Sequence, residues 1–102
     1  MAEQLDRRRA PRLPLDADVE FRRHKQAHYS INMHELSASG CRIAAPERLG
    51  WGERVWVQLP SLQSLSASVK WSGAWQSGVE FEQPLHPAVF DMIAARLAPA
   101  ND

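Results

Sequence analysis

The residues best suited to chemistry in this sequence are the arginines near its beginning. The stretch RRRAPR places four arginines between Arg7 and Arg12. A guanidinium presents a planar fork of donors that binds phosphate oxygens in pairs and can also stack on a nucleotide base. The cluster is therefore a candidate site for a phosphate-bearing ligand, although charge alone favours a solvated basic tail.

A second candidate element is the sequence ELSASG at residues 35–40. Ser37 and Ser39 provide small groups that both donate and accept hydrogen bonds. Gly40 permits a positive φ or a close approach of another backbone. Taken alone, the element indicates only a turn at the end of a strand.

Catalytic and metal-binding patterns are missing from the sequence. No histidine stands beside a serine or cysteine in a recognisable nucleophile setting, and no pair of carboxylates is marked out. The histidines His24, His28, His34 and His86 lack the helical i, i+4 spacing or the cysteine partners that metal sites use. We therefore expect no enzyme activity, no catalytic residue, no metal and no cofactor.

Composition indicates an ordinary single globular domain. The chain has 102 residues, and its twelve Lys and Arg balance its twelve Asp and Glu. Zero net charge argues against bulk attraction to nucleic acid. The one cysteine, Cys41, lies in an alternating apolar run and is expected to be buried.

The sequence also bears on localisation. The N-terminal segment MAEQLDRRRA lacks the apolar core of a signal peptide, and no run approaches the roughly 20 apolar residues of a membrane span. We therefore expect a cytoplasmic protein.

A period-two alternation of apolar and polar residues predicts a mainly β fold. It extends from residue 17 to residue 82 and is broken by Gly, Pro, Ser and Asn, which is typical of successive antiparallel strands. Leu36 falls out of phase with Tyr29, Ile31 and Met33, which predicts a β-bulge. The six strands are expected at 17–22, 28–36, 41–45, 55–59, 65–71 and 79–81.

The pattern changes to a helix after Pro84. Val89, Met92, Ile93 and Leu97 recur at helical spacing and predict an apolar face that covers one end of a barrel. We therefore expect a six-stranded antiparallel β-barrel with a C-terminal α-helix over residues 14–98. A flexible N-terminal arm at 1–13 carries the arginines, and 99–102 form a tail.

Four tryptophans offer another possible function, a stacking platform for single-stranded nucleic acid. Trp71 continues an inward-facing set with Leu65, Ala67 and Val69, so we expect it in the core. The remaining tryptophans, Trp51, Trp56 and Trp75, are expected to cover barrel ends or to contact a partner.

Together, the two candidate elements resemble the signature of the PilZ domain family. That signature combines R-x-x-x-R on an N-terminal arm with a later D/N-x-S-x-x-G at a strand end. Arg8 and Arg12 match the first motif, which Arg7 extends to R-R-x-x-x-R. Glu35, Ser37 and Gly40 occupy the three defined positions of the second motif, in order. The resemblance continues through GCRIAAPERLGWGERVWVQL and SGVEF to about residue 97.

The resemblance implies that the chain binds cyclic di-GMP, a bacterial second messenger, and acts on a protein effector. Arg8 and Arg12 would hold phosphates and guanine edges, with help from Arg7. Ser37 and the carboxylate of Glu35 would hydrogen-bond a guanine, and Gly40 would keep the turn clear. Such domains work by a change of arm or partner geometry rather than by catalysis.

The sequence departs from the family pattern at Glu35, where the family has Asp or Asn. The extra methylene moves the acceptor outward, and a hydrogen bond tolerates little displacement. Loss of that bond would weaken binding by roughly 5- to 150-fold. We expect binding to persist because the arginines are retained.

Two other functions stay open at this stage. The chain could be a PilZ-like protein-interaction module that binds no nucleotide, which the change at Glu35 favours and the retained arginines oppose. It could also be a nucleic-acid-binding barrel, which zero net charge and the absence of a basic stripe along the strands disfavour.

Overall fold

The computed structural model of the protein describes residues 12–97. Six strands followed by a helix occupy this range, as the sequence predicts. The first strand begins at Leu13, the last residue of the predicted arm; Arg7, Arg8 and the tail at 99–102 lie outside the described residues. The elements are β1 (Leu13–Arg23), β2 (Tyr29–Ser37), β3 (Gly40–Ile43), β4 (Arg54–Gln58), β5 (Ser64–Gly73), β6 (Gln76–Phe81) and α1 (Pro87–Leu97).

The strands close into the predicted antiparallel barrel. Their order around the wall is β1-β2-β3-β6-β5-β4, and β1 pairs with both β2 and β4. Closure satisfies the backbone groups that an open sheet would leave unpaired at its two edges. It also inserts β6 between β3 and β5, so residues distant in sequence share one side of the wall.

The interior of the barrel is filled by the inward residues of the alternating strands. Phe21, Met33 and Val57 are fully buried, and the ring of Phe21 meets that of Tyr29 edge to face at 5.7 Å between centroids. Such aromatic pairs add to the stabilisation that burial itself provides. This core holds the wall rigid, and the outer surface is left to carry polar groups.

The predicted bulge in β2 is confirmed. Met33 pairs with Ile43 but Glu35 pairs with Arg42, so His34 is an extra residue on β2. The insertion turns Leu36 into the core, where it is fully buried. Glu35 consequently lies on the outer side of the wall.

A second bulge, in β5, overturns the prediction for Trp71. Val69 pairs with Val79, but Trp71 pairs with Gly78, so Lys70 is inserted between them. The insertion reverses the phase of the strand, and Trp71 points outward with 46% of its surface exposed. The alternation of apolar residues continues through Trp71, which is why the sequence suggested a core position.

The β5–β6 connection is much shorter than the sequence suggests. Gly73 pairs with Gln76, so only Ala74 and Trp75 form the loop of the hairpin. Trp75 has a φ of 67° and is 71% exposed. A bulky residue rarely adopts this left-handed conformation, because its Cβ crowds the following carbonyl.

Replacing Trp75 with glycine should therefore stabilise the protein by about 0.5 to 1 kcal/mol. Relief of the left-handed backbone contributes about 1 to 2 kcal/mol, and the greater freedom of glycine in the unfolded chain offsets part of it. Urea unfolding measures the change. Ala74→Gly is the matched control, because Ala74 has no positive φ and its replacement should only destabilise. Equal changes in both variants would contradict the prediction.

The helix α1 covers the barrel with a face slightly different from the predicted one. Phe90 and Ile93 are its buried residues, whereas Met92 is 43% exposed. Pro87 occupies the first turn, where its missing N–H costs nothing. The Nδ1 atom of His86 accepts a hydrogen bond from the Ala88 amide at 3.0 Å. This contact satisfies one of the amide groups that a helix start leaves without a partner.

An ion-pair cluster ties the end of β1 to the loop before β4. The Arg23 guanidinium donates to both carboxylate oxygens of Glu53, from Nε at 2.6 Å and from Nη2 at 2.9 Å, and Nη1 lies 3.1 Å from Glu47 Oε2. Glu53 also accepts from the Gly50 amide at 2.9 Å. Hydrogen bonding from Arg23 lowers the pKa of Glu53 despite the opposing effect of its burial.

Glu53→Gln should accordingly reduce stability by about 1 to 2 kcal/mol at neutral pH. A carboxylate whose pKa is lowered by folding stabilises the protein above its unfolded pKa, about 4.3, and that contribution is lost as the pH falls through the folded value. The difference between wild type and variant should therefore shrink below about pH 4. Urea unfolding at several pH values tests this, with Glu82→Gln as control because Glu82 forms an exposed pair with Arg54. A difference independent of pH would contradict it.

Candidate ligand-binding site

A depression on the described surface lies outside the barrel wall, over β2, β3, β6 and β5. Its volume is about 690 Å³. This is within the usual range for sites that hold a small-molecule ligand. The residues that line it are Arg12, Glu35, Ser37, Ser39, Gly40, Cys41, Arg42, Lys70, Trp71, Gly78, Val79 and Glu80.

One row of paired residues in this cavity crosses four strands, β2, β3, β6 and β5. Glu35 pairs with Arg42, Arg42 with Gly78, and Gly78 with Trp71. Residues directly opposite each other on paired strands project from the same face of the sheet. A carboxylate, a guanidinium and an indole are therefore arranged side by side, with the place at Gly78 free of any side chain.

The indole of Trp71 occupies the space above Gly78. A Cβ built at position 78 would lie 2.1 Å from Trp71 Nε1. Only glycine allows the indole to rest against the wall at this point. Trp71 thus borders the cavity as a half-exposed aromatic side chain, which is the kind of group on which a nucleotide base can stack.

The turn between β2 and β3 is held by its own serines. Ser37 Oγ accepts from the Ser39 amide at 3.3 Å and lies 3.2 Å from Ser39 Oγ and 3.4 Å from the Gly40 carbonyl oxygen. The Ser39 carbonyl also accepts from the Phe81 amide at 2.8 Å. These bonds fix the turn against the end of β6.

Gly40 is required here for a close approach rather than for a positive φ. A Cβ at this position would lie 2.1 Å from the carbonyl oxygen of Val79. Gly40 pairs with both Ser37 and Glu80, so it joins the turn to β6. The sequence allowed both explanations for Gly40, and the structure supports the close approach of the β6 backbone.

Arg12, the last residue of the arginine motif, lines the same cavity. It is exposed and directly precedes β1, where Leu13 pairs with Leu36 and Pro14 with Glu35. The register of β1 on β2 therefore places Arg12 beside the turn motif. Of the predicted site residues, Arg12, Glu35, Ser37 and Gly40 line one cavity; Arg7 and Arg8 are outside the described residues.

Three further cavity residues were missed by the sequence reasoning, namely Arg42, Lys70 and Trp71. Arg42 Nη1 donates to Gln76 Oε1 at 3.2 Å, and its buried Nε has no hydrogen-bond partner among the described residues. Lys70 Nζ lies 3.1 Å from Glu80 Oε1. Arg42 alternates with the buried Cys41 and Ile43, which is a signal for an outward position, but no sequence signal links it to β6.

Cys41 lies beneath this cavity and is buried, as predicted. Burial raises the pKa of its thiol to about 12. A nucleophilic cysteine needs the opposite shift, because the thiolate is the reactive form. Cys41 therefore packs as a small apolar side chain.

Residues 12–97 contain neither a metal-binding cluster nor a helix suited to a membrane. No cluster of three or more His, Cys, Asp or Glu side chains in this range is arranged to hold a metal ion. No helix in the same range has the length and apolar character needed to cross a membrane.

Together, these features define a small antiparallel β-barrel domain with a polar cavity on the outside of its wall. The family model for the PilZ domain matches residues 6–98, and the chain belongs to this family. PilZ domains are generally binding and adaptor modules, and the family includes receptors for cyclic di-GMP.

A solved structure supports the fold. The chain is similar to the crystal structure of the PilZ domain of CeSA from a cellulose-synthesizing bacterium, with 15% sequence identity and a TM-score of 0.59. The similarity covers 85% of this chain and 93% of that one. No curated protein sequence matches the chain.

Proposed function

We propose that this chain binds cyclic di-GMP in the cavity outside β2, β3, β6 and β5 and relays the bound state to a partner protein. The observation that carries the proposal is that Arg12 lines the same cavity as Glu35, Ser37 and Gly40. Arg12, the last residue of the first PilZ motif, thus lies near the second motif, although more than 20 residues separate Arg12 from Glu35 in the sequence.

The chemistry of the cavity suits this ligand. Cyclic di-GMP carries two phosphates and two guanines, so it needs cations, base-edge partners and an aromatic surface. Arg12 supplies a guanidinium fork for phosphate oxygens, and the family resemblance implies that Arg7 and Arg8 would assist it. Glu35 and Ser37 supply hydrogen-bonding groups for a guanine edge, and Trp71 supplies a surface for stacking.

The relay part of the proposal rests on two exposed tryptophans, one of which contacts a residue of the cavity. Trp51 is 79% exposed, and Lys70, which lines the cavity, lies 6.0 Å from the centre of its ring. Trp75 is exposed at the tip of the β5–β6 hairpin. Exposed tryptophans are typical of protein contacts. The domain would act in the cytoplasm as a receptor and adaptor, not as an enzyme.

Calorimetric titration with cyclic di-GMP is the direct test. Saturable heat is expected, together with amide shifts at Ser37–Gly40 in NMR spectra and unchanged amides at Arg22 and Trp56 on the far side of the wall. Cyclic di-AMP serves as the matched ligand control. Absence of both heat and shifts at high micromolar protein would reject the proposal and leave the alternative, a PilZ module that contacts proteins without a nucleotide.

A further inference from the structure

We infer that Arg42 is a specificity-determining residue of the cavity and donates two hydrogen bonds to the O6 and N7 acceptors of a guanine. This inference rests on the proposed binding of cyclic di-GMP. Neither PilZ motif includes Arg42; the structure alone brings it into the cavity, through the pairing of β3 with β2 and β6.

The guanidinium of Arg42 is held in place by one hydrogen bond, but its Nε donor has no partner among the described residues. Its Nη1 donates to Gln76 Oε1 at 3.2 Å, which fixes the orientation of the fork. Its Nε is buried and has no hydrogen-bond partner among the described residues. A buried donor without a partner is unfavourable, so a small rotation of the side chain that brought Nε to a ligand acceptor would relieve this cost and favour binding.

No carboxylate of the described residues 12–97 lies within ion-pair distance of Arg42. The other cavity cation on the wall differs in this respect, because Lys70 is paired with Glu80 at 3.1 Å. Of these two cations, Arg42 is therefore the one whose charge no carboxylate of residues 12–97 neutralises, and only its planar fork matches two adjacent acceptors.

The neighbour of Arg42 indicates which part of the ligand it contacts. Glu35 is its direct partner on β2, and the Cβ atoms of such partners are about 5 Å apart. A phosphate placed there would be repelled by the carboxylate. A guanine instead presents N1–H and N2–H donors beside its O6 and N7 acceptors, so it can use Glu35 and Arg42 together.

The same arrangement discriminates between purines. Arginine donates in pairs to guanine O6 and N7, whereas adenine has an amino donor where guanine has O6. An adenine in the guanine position would direct that amino group at the Arg42 donors. Arg42 would therefore favour guanine over adenine, and Gln76 would assist by holding its side chain in place.

The test compares Arg42→Ala and Arg42→Lys with wild type by calorimetry, using cyclic di-GMP and its 7-deazaguanine analogue, which lacks the N7 acceptor. Arg42→Ala should weaken binding of cyclic di-GMP by roughly 5- to 150-fold. The loss should be clearly smaller with the analogue. Lysine keeps the charge but not the fork, so Arg42→Lys should restore only part of the affinity. Arg22→Ala is the matched control, because Arg22 stacks on Trp56 at 4.0 Å and is not a cavity residue.

Several results would overturn the inference. Unchanged affinity in Arg42→Ala would do so, as would an equal loss for the two ligands, which would indicate simple charge attraction. In wild-type protein the Arg42 Nε–H resonance should shift on saturation with cyclic di-GMP, and an unmoved resonance would also count against it. Failure of the wild type itself to bind would instead reject the proposed function.

Discussion

Replacing Arg12 with alanine is expected to weaken cyclic di-GMP binding by about 30- to 1,000-fold, while the free energy of unfolding stays within about 0.5 kcal/mol of the wild type. Arg12 is exposed and lines the cavity, so its loss removes a charged partner of the ligand without opening the core. The family resemblance predicts the same separation of binding from folding for Arg8→Ala. Calorimetry measures the first quantity and urea unfolding the second.

Arg54→Ala is the control for a general effect of charge. Arg54 is also exposed, forms a surface pair with Glu82 at 2.6 Å and does not line the cavity. Its replacement should leave affinity within about threefold of the wild type. If Arg12→Ala binds as well as Arg54→Ala, Arg12 is not a ligand residue and the proposed site is wrong.

Gly40→Ala is expected to destabilise the barrel by about 1 to 3 kcal/mol and to lower Tm by roughly 4 to 8 °C for each kcal/mol. The added Cβ would lie 2.1 Å from the Val79 carbonyl oxygen. That oxygen belongs to backbone and cannot swing away as a flexible side chain would. The β3–β6 pair has to separate locally, and ligand binding should weaken as the turn moves.

Gly73→Ala provides a matched comparison for this effect. Gly73 also lies in a strand, and a Cβ built there meets no atom within 4 Å. Its replacement should change the free energy of unfolding by no more than about 0.5 kcal/mol. Thermal and urea unfolding of both variants would refute the close-approach explanation if Gly40→Ala proved as stable as Gly73→Ala.

The sequence predicted the fold well wherever a local pattern decided it. Alternation located all six strands, and the phase change at Leu36 located the bulge in β2. The prediction that Trp71 lies in the core was wrong. The inserted Lys70 reverses which side chains of β5 point outward, but the apolar alternation in the sequence continues unchanged. The strands β5 and β6 also extend into polar residues that carry no alternation, since pairing with neighbouring strands stabilises them there.

The candidate site was predictable only in part, for the same reason. The motif residues Glu35, Ser37 and Gly40 are close in sequence, and Arg12 could be joined to them through a family resemblance. The opposite side of the cavity comes from β5 and β6, and only barrel closure brings Trp71 and Lys70 beside β3. No spacing in the sequence encodes that neighbourhood.

The pairing of Leu13 with Leu36 has a consequence for the entropy of ligand capture. Arg12 is one residue from this ladder, so its backbone is tethered beside Glu35 before any nucleotide arrives. Ordering a free residue costs about 1 to 2 kcal/mol, and most of that cost for Arg12 falls on folding instead. The β1–β2 register therefore sets the effective concentration of the Arg12 guanidinium at the cavity. A variant that shifts this register should lower that concentration and weaken ligand binding, even though Arg12 itself is retained.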